Sequence, residues 1–234
     1  MLEVEIVDGG ATERYPEAQK CILRWGQRID ATSRQPKSDR MLAMANTSAT
    51  TSPGAVLAQD DDFLYEVVDG QVMKLAPMGA YDVWLASVLI EYLRSFARQH
   101  QLGEAVQEML FDLGPTLQRQ RRPDVAFVSY DRWPRQQRVP RTEAWAVVPN
   151  LAVEVVSPTD RVDALMDKVA EYFRAGVECV WVVLPAQQQV HVYESPTSVR
   201  ILTRADTLRG EPLLPHFQLQ LAALFDESEE TAAR

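Results

Sequence analysis

Asp124 and Glu154 each interrupt a run of apolar, β-branched residues, in the stretches RRPDVAFVSY and LAVEVVSPTD. Residues of that kind belong in buried strands, where an unpaired carboxylate is costly. An acid at a strand end can nevertheless point into a cleft while its neighbours pack the core. Two acids on adjacent strand ends are able to share a hard divalent cation. Mg2+ suits such a pair, because it is commonly held by one or two carboxylates, several waters and substrate phosphate oxygens. The plainer alternative is that each acid is a solvated strand terminus or half of a surface ion pair.

Lys168 adds to the first reading. It lies three residues after Leu165 and four before Tyr172, beside the apolar stripe of a predicted helix. A lysine there can reach strand ends, where its ammonium would orient an attacking water or offset charge developing on a phosphoryl group. The alternative is a snorkelling side chain paired with Asp163, Asp167 or Glu171. Glu108, at strand-like spacing, is a candidate third carboxylate. Tyr172 is expected chiefly as a core aromatic, within hydrogen-bonding reach of the site. His100, His191 and His216 lack metal-ligand spacing. Ser157 lacks the Gly-x-Ser-x-Gly setting of a hydrolase nucleophile, and VVDGQV is a hairpin turn and not a phosphate loop.

The elements that must carry these residues follow from periodicity. FLYEVVDGQVMKL reads as two strands joined by Asp69-Gly70, a dipeptide that tolerates the positive φ values of a two-residue turn. Val83, Leu85, Val88, Leu89, Tyr92, Leu93 and Phe96 have largely helical spacing and predict a long amphipathic helix ending before Gly103. Apolar runs at 105–113, 124–130 and 151–156 predict strands of a central sheet. The segment SPTDRVDALMDKVAEYFRAGV predicts a helix with Thr159 or Asp160 as N-cap, Gly176 just past its end, and a stripe of Val162, Leu165, Val169, Tyr172 and Phe173. CVWVVL, QVHVYE and VRIL predict a buried strand leading to a more exposed sheet edge.

The chain has 234 residues, 46% of them hydrophobic, with no apolar run of the ~18 residues a membrane span needs. Its opening, MLEVEIVDGG, puts acids where a secretory leader would carry positive charge. Cys179 reads as a small buried hydrophobe far from Cys21, in keeping with a reducing compartment. A cytoplasmic protein without membrane attachment is expected. Residues 1–55 are rich in Ser, Thr, Pro and charge and are expected to be a poorly ordered extension, Met44 being an alternative translation start. Residues 56–226 form the expected domain, and 227–234 an acidic tail.

Net charge is −9, yet between Pro115 and Arg141 seven arginines stand against two aspartates, leaving −14 for the remainder. This strip is read either as a solvated loop or as a phosphate-contacting surface beside an acidic metal site.

YEVVDGQV, the helix after it, RPDVAFV, LAVEVVSPTDR, DKVAEYFRAGVECVWVVLP, QVHVYE and LPHFQLQLAALF together resemble the Uma-type family of putative restriction endonucleases over about residues 60–225. The resemblance implies an α/β fold: a restriction-endonuclease-like, PD-(D/E)XK-type mixed sheet flanked by helices, with an N-terminal hairpin and extra C-terminal strands. It implies hydrolysis of DNA with Mg2+ or Mn2+. Asp124 matches the PD aspartate and Glu154 the second acid. The lysine expected two residues after that acid is replaced by Val156, and Lys168 on the following helix takes its role. Glu66 resembles a recurrent acid of the family, a turn-proximal ion pair being its alternative. Tyr81 stands where relatives often carry a histidine. On this reading Arg119, Arg121, Arg122, Arg135 and Arg138 contact DNA phosphates. The rival expectations are a nuclease fold that binds nucleic acid without cutting it, and an interaction module, for example a homodimer, using the apolar C-terminal strands and partly exposed Trp133 and Trp145.

Overall fold

The computed structural model describes residues 63–226. The expectations for residues 1–55 and 227–234, for Met44 and for Cys21 lie outside them.

The first two strands, β1 (Tyr65–Val68) and β2 (Gln71–Lys74), pair antiparallel around Asp69 and Gly70, whose φ values of 53° and 74° are those the dipeptide was expected to supply. Helix α1 (Ala80–Gln99) follows. Next come β3 (Gly103–Gln107), β4 (Phe111–Asp112), β5 (Arg119–Arg121), β6 (Val125–Ser129) and β7 (Leu151–Val155). Helix α2 (Val162–Ala175) leads to β8 (Cys179–Leu184), β9 (Gln189–Ser195), β10 (Ser198–Thr203), β11 (Thr207–Arg209), β12 (Gln218–Gln220) and the short α3 (Leu221–Leu224).

The main sheet has the order β10-β9-β8-β7-β6-β3. Among its described strands only β7 and β8 run parallel, a pairing that needs a crossover, supplied here by α2. Alternation along the strands sorts their side chains into two layers. Val125, Phe127, Leu151, Val153, Trp181 and Val183 pack with the buried face of α1, while Ala126, Val128, Ala152, Val180 and Val182 pack with Val169 and Tyr172 of α2. A smaller sheet, β2-β1-β5-β4, holds the hairpin, and β11 pairs with β12.

Several local expectations are corrected. The apolar run 105–113 is not one strand: Glu108 has a φ of 49°, and the chain passes there from the main sheet into the small one. Part of the arginine strip is strand β5, paired with β1 and β4. Neither Thr159 nor Asp160 caps α2. The N-cap is Arg161, and Asp160 instead accepts the Ser157 amide at 2.8 Å within the preceding turn. Val162 is exposed, so the apolar stripe of α2 begins one turn later. Trp145 is only 1% exposed, stacked beside Phe111, and offers no interaction surface.

Gly176 ends α2 at a φ of 98°, with open space where a Cβ would lie. Gly176→Ala is therefore expected to lower stability by about 1 kcal/mol through backbone conformation alone, readable by denaturant unfolding.

Candidate active site

The register of the main sheet builds the site. Val125 pairs with Val153 across β6 and β7, and Val125 with Gln107 across β3 and β6. Continued by one residue, that register sets Asp124 opposite both Glu154 and Glu108. The Glu108 amide donates to the Asp124 carbonyl at 3.1 Å, and the Val155 amide to Asp124 Oδ2 at 2.6 Å. Like charges directly across a ladder repel, so the row of acids needs compensation from elsewhere.

Helix α2 supplies it. Lys168 and Tyr172 lie one turn apart on the face toward the sheet. The Lys168 ammonium donates to Glu154 Oε2 at 3.3 Å, and the Tyr172 hydroxyl to Glu154 Oε1 at 2.6 Å. Glu154 is only 7% exposed, and burial pushes its carboxyl up against the opposing pull of Lys168. Burial first, and then the facing Glu154, push Asp124 up to about 8. Burial alone would lower Lys168, but Glu154 and Glu66 outweigh it and hold the ammonium above its usual range. Tyr172, buried beside two carboxylates, is held well above the ordinary phenol value. Two desolvated acids, Asp124 raised further by the facing Glu154 and Glu154 by Glu66, form a donor set suited to a hard divalent ion. Among the described residues no group of three or more His, Cys, Asp or Glu is gathered for a metal; a two-carboxylate site suits Mg2+, which keeps waters and takes further oxygens from substrate.

Glu66, 2% exposed, joins this constellation from β1. Its Oε1 lies 3.1 Å from Lys168 Nζ and accepts the Arg122 amide at 3.1 Å, while Oε2 accepts Arg121 Nη1 at 2.7 Å. Arg121 also donates through Nε to Glu171 Oε2 at 2.7 Å, and Glu171 takes Arg119 Nε at 3.0 Å. Arg119 further pairs with Asp69 of the hairpin turn. The small sheet is thus tied to α2 by buried ion pairs, with Lys168 at their inner end. Two of the arginines expected at phosphate are paired with acids in the structure: Arg121 is buried between Glu66 and Glu171, and Arg119, mostly buried, meets Glu171 and Asp69. Arg122 gives Nε to the Tyr65 carbonyl and Nη1 to the Glu108 carbonyl, yet still borders the cleft. Arg135 and Arg138 are exposed in the loop after β6.

The sequence offers Glu171 only as an alternative partner of Lys168, and its pairing with Arg119 and Arg121 was missed. Its signal was available: Arg119 and Arg121 have the i, i+2 spacing of one strand face, which a solvated strip has no reason to keep. Both need buried acids opposite.

Asp124, Glu154, Lys168, Arg122, Glu108 and Asp160 border a cleft of about 680 Å3, whose other wall is formed by residues of the hairpin and the start of α1. Tyr81, on that helix, stacks on Trp84 with ring centroids 5.7 Å apart.

Comparison with known proteins agrees with the residue-level resemblance. The sequence model of the Uma2 family, described as "Putative restriction endonuclease", matches residues 55–222. No curated protein matches the chain. Among solved structures, the chain is similar to a protein from Anabaena variabilis ATCC 29413 described as a putative nuclease belonging to DUF820. The TM-score is 0.59 at 17% identity, over 69% of this chain and 89% of that one. At that identity the likeness concerns the fold: a mixed α/β architecture shared with a nuclease-type neighbour.

Proposed function

The chain belongs to the Uma2 family of putative restriction endonucleases, and on that premise we propose that it is a divalent-metal-dependent endonuclease hydrolysing DNA phosphodiester bonds. The observation that carries the reading is the meeting of Asp124 and Glu154, from adjacent strands, with Lys168 on one side of an open cleft.

Asp124 and Glu154 would hold Mg2+ or Mn2+, with Glu108 beside them. A divalent ion at such a site supplies Lewis-acid polarisation of phosphate and a lowered pKa for water. The chain's own residues do the rest. Tyr172 and the Val155 amide fix the two acids by donating to them. The Lys168 ammonium, anchored between Glu66 and Glu154, is positioned to orient the attacking water or to offset charge gathering on the phosphoryl oxygens. Arg122, with Lys74 across the cleft, favours entry of an anionic backbone, and Arg135 and Arg138 extend the cationic surface.

Plasmid nicking in Mg2+ tests the assignment of Lys168. Lys168→Met is expected to cut at least about a hundredfold more slowly than wild type while retaining divalent-ion affinity. Cleavage at the wild-type rate would remove Lys168 from the reaction.

A second reading, a nuclease fold that binds without cutting, is favoured by one feature: both oxygens of Glu154 already accept protein donors. It calls for DNA binding without metal and without products.

A further inference from the structure

The cleft has two unlike walls. One carries Asp124, Glu154, Lys168 and Arg122; the other is built from Phe63, Leu64, Leu75, Pro77, Met78 and Val83. Among the described residues nothing seals the apolar wall: Leu64 is 42% and Val83 39% exposed. Exposed apolar surface bordering a polar site is a mark of ligand contact. Lys74 stands on this wall with its ammonium 4.6 Å from the Phe63 ring centroid, so the wall is cationic at one point and otherwise apolar.

A duplex has little to offer such a wall. Its outer surface is sugar and phosphate, its base faces are stacked on one another, and its stiffness persists over about 150 base pairs. Delivering one phosphate to a half-buried acid pair would require bending or unstacking. An unpaired strand meets both walls at once, its phosphate at Lys168 and Arg122 and its base face on the apolar side. A cavity of about 680 Å3 lies within the range of roughly 300–1,000 Å3 that encloses one ligand of nucleotide size.

Building on the endonuclease reading, we propose that the cleft takes an unpaired nucleotide of a DNA strand, the base packed against the Leu64–Val83 wall and its phosphate held at Lys168 and Arg122. The substrate class is thereby single-stranded DNA or an unpaired segment within duplex DNA. Stacking of bases on side chains is tolerant of sequence, so the wall selects strandedness and not a target sequence.

The test uses full-length protein carrying Asp124→Asn, which on the reading above does not cut, and measures fluorescence anisotropy with a labelled oligothymidylate and a duplex of the same length. Binding of the single strand is expected to be at least about tenfold tighter. Leu64→Ser with Val83→Ser, both at exposed positions, should erase most of that preference while far-ultraviolet circular dichroism stays unchanged. Equal or tighter binding of duplex overturns the proposal and leaves the endonuclease reading standing, as does a preference unaltered by the wall substitutions. Failure to bind either oligonucleotide overturns both.

Discussion

Asp124→Asn is expected to reduce Mg2+-dependent cleavage at least about a thousandfold, the scale of several kcal/mol of lost metal assistance, while making the metal-free protein more stable at neutral pH. The two effects have one cause. Burial and the facing Glu154 push Asp124 up to about 8, whereas an aspartate in an unfolded chain titrates near about 4. Between those values the folded protein keeps a proton that the unfolded chain has released. Stability is therefore fullest below about pH 4 and declines as pH rises to about 8. Asparagine keeps the shape of the side chain and has no charge to bury, so this decline should flatten. Divalent-ion binding needs the ionised pair and should strengthen across the same window in the wild type. Thermal melts from pH 5 to pH 9, with and without Mg2+, follow both arms. A variant with an unchanged pH slope would mean that Asp124 is not the group strained in the fold.

Arg121→Met is expected to cost about 3–5 kcal/mol, the usual penalty for removing one partner from a buried ion network. Its guanidinium links Glu66 and Glu171, which are 2% and 5% exposed. Without it two carboxylates lie on opposite sides of an apolar side chain, and the tie between β1 and α2 is lost. Arg121→Lys should recover only part of the loss, because one ammonium cannot reproduce a planar fork that reaches two acids. Combining Arg121→Met with Glu66→Gln and Glu171→Gln should recover more, since no unpaired charge remains. Urea unfolding of the series measures this; a cost below about 1 kcal/mol for Arg121→Met would show that the pairs add little to stability. Cleavage should fall as well, because Glu66 also anchors Lys168.

The parts of this architecture that could be read from sequence are those with a strict local period. Asp69-Gly70 specifies its turn by backbone preference alone. Helix α1 shows itself through a repeated apolar face. The proximity of Asp124, Glu154 and Lys168 follows from strand ends and one helical face, with the family pattern directing attention to Lys168. What escaped depends on contacts between segments far apart in sequence. Glu171 reads as one more acid on a helix, and only the meeting of α2 with β5 makes it the buried partner of two arginines. The reversal of backbone at Glu108 has no signal in a continuous apolar run, so one expected strand became two in different sheets. Trp145 sits in a polar, irregular loop and reads as surface, yet Phe111 and Trp133 enclose it.

Whether Asp124 and Glu154 bind a divalent ion is the point on which the account turns. Isothermal titration of Mg2+ into the full-length protein at pH 8, beside the Asp124→Ala/Glu154→Ala variant, measures it directly. Saturable binding by the wild type and none by the folded variant is the expected result. Equal heats from the two proteins, or no binding by a folded wild type, would contradict it and leave a nuclease fold whose acids serve only to position Lys168.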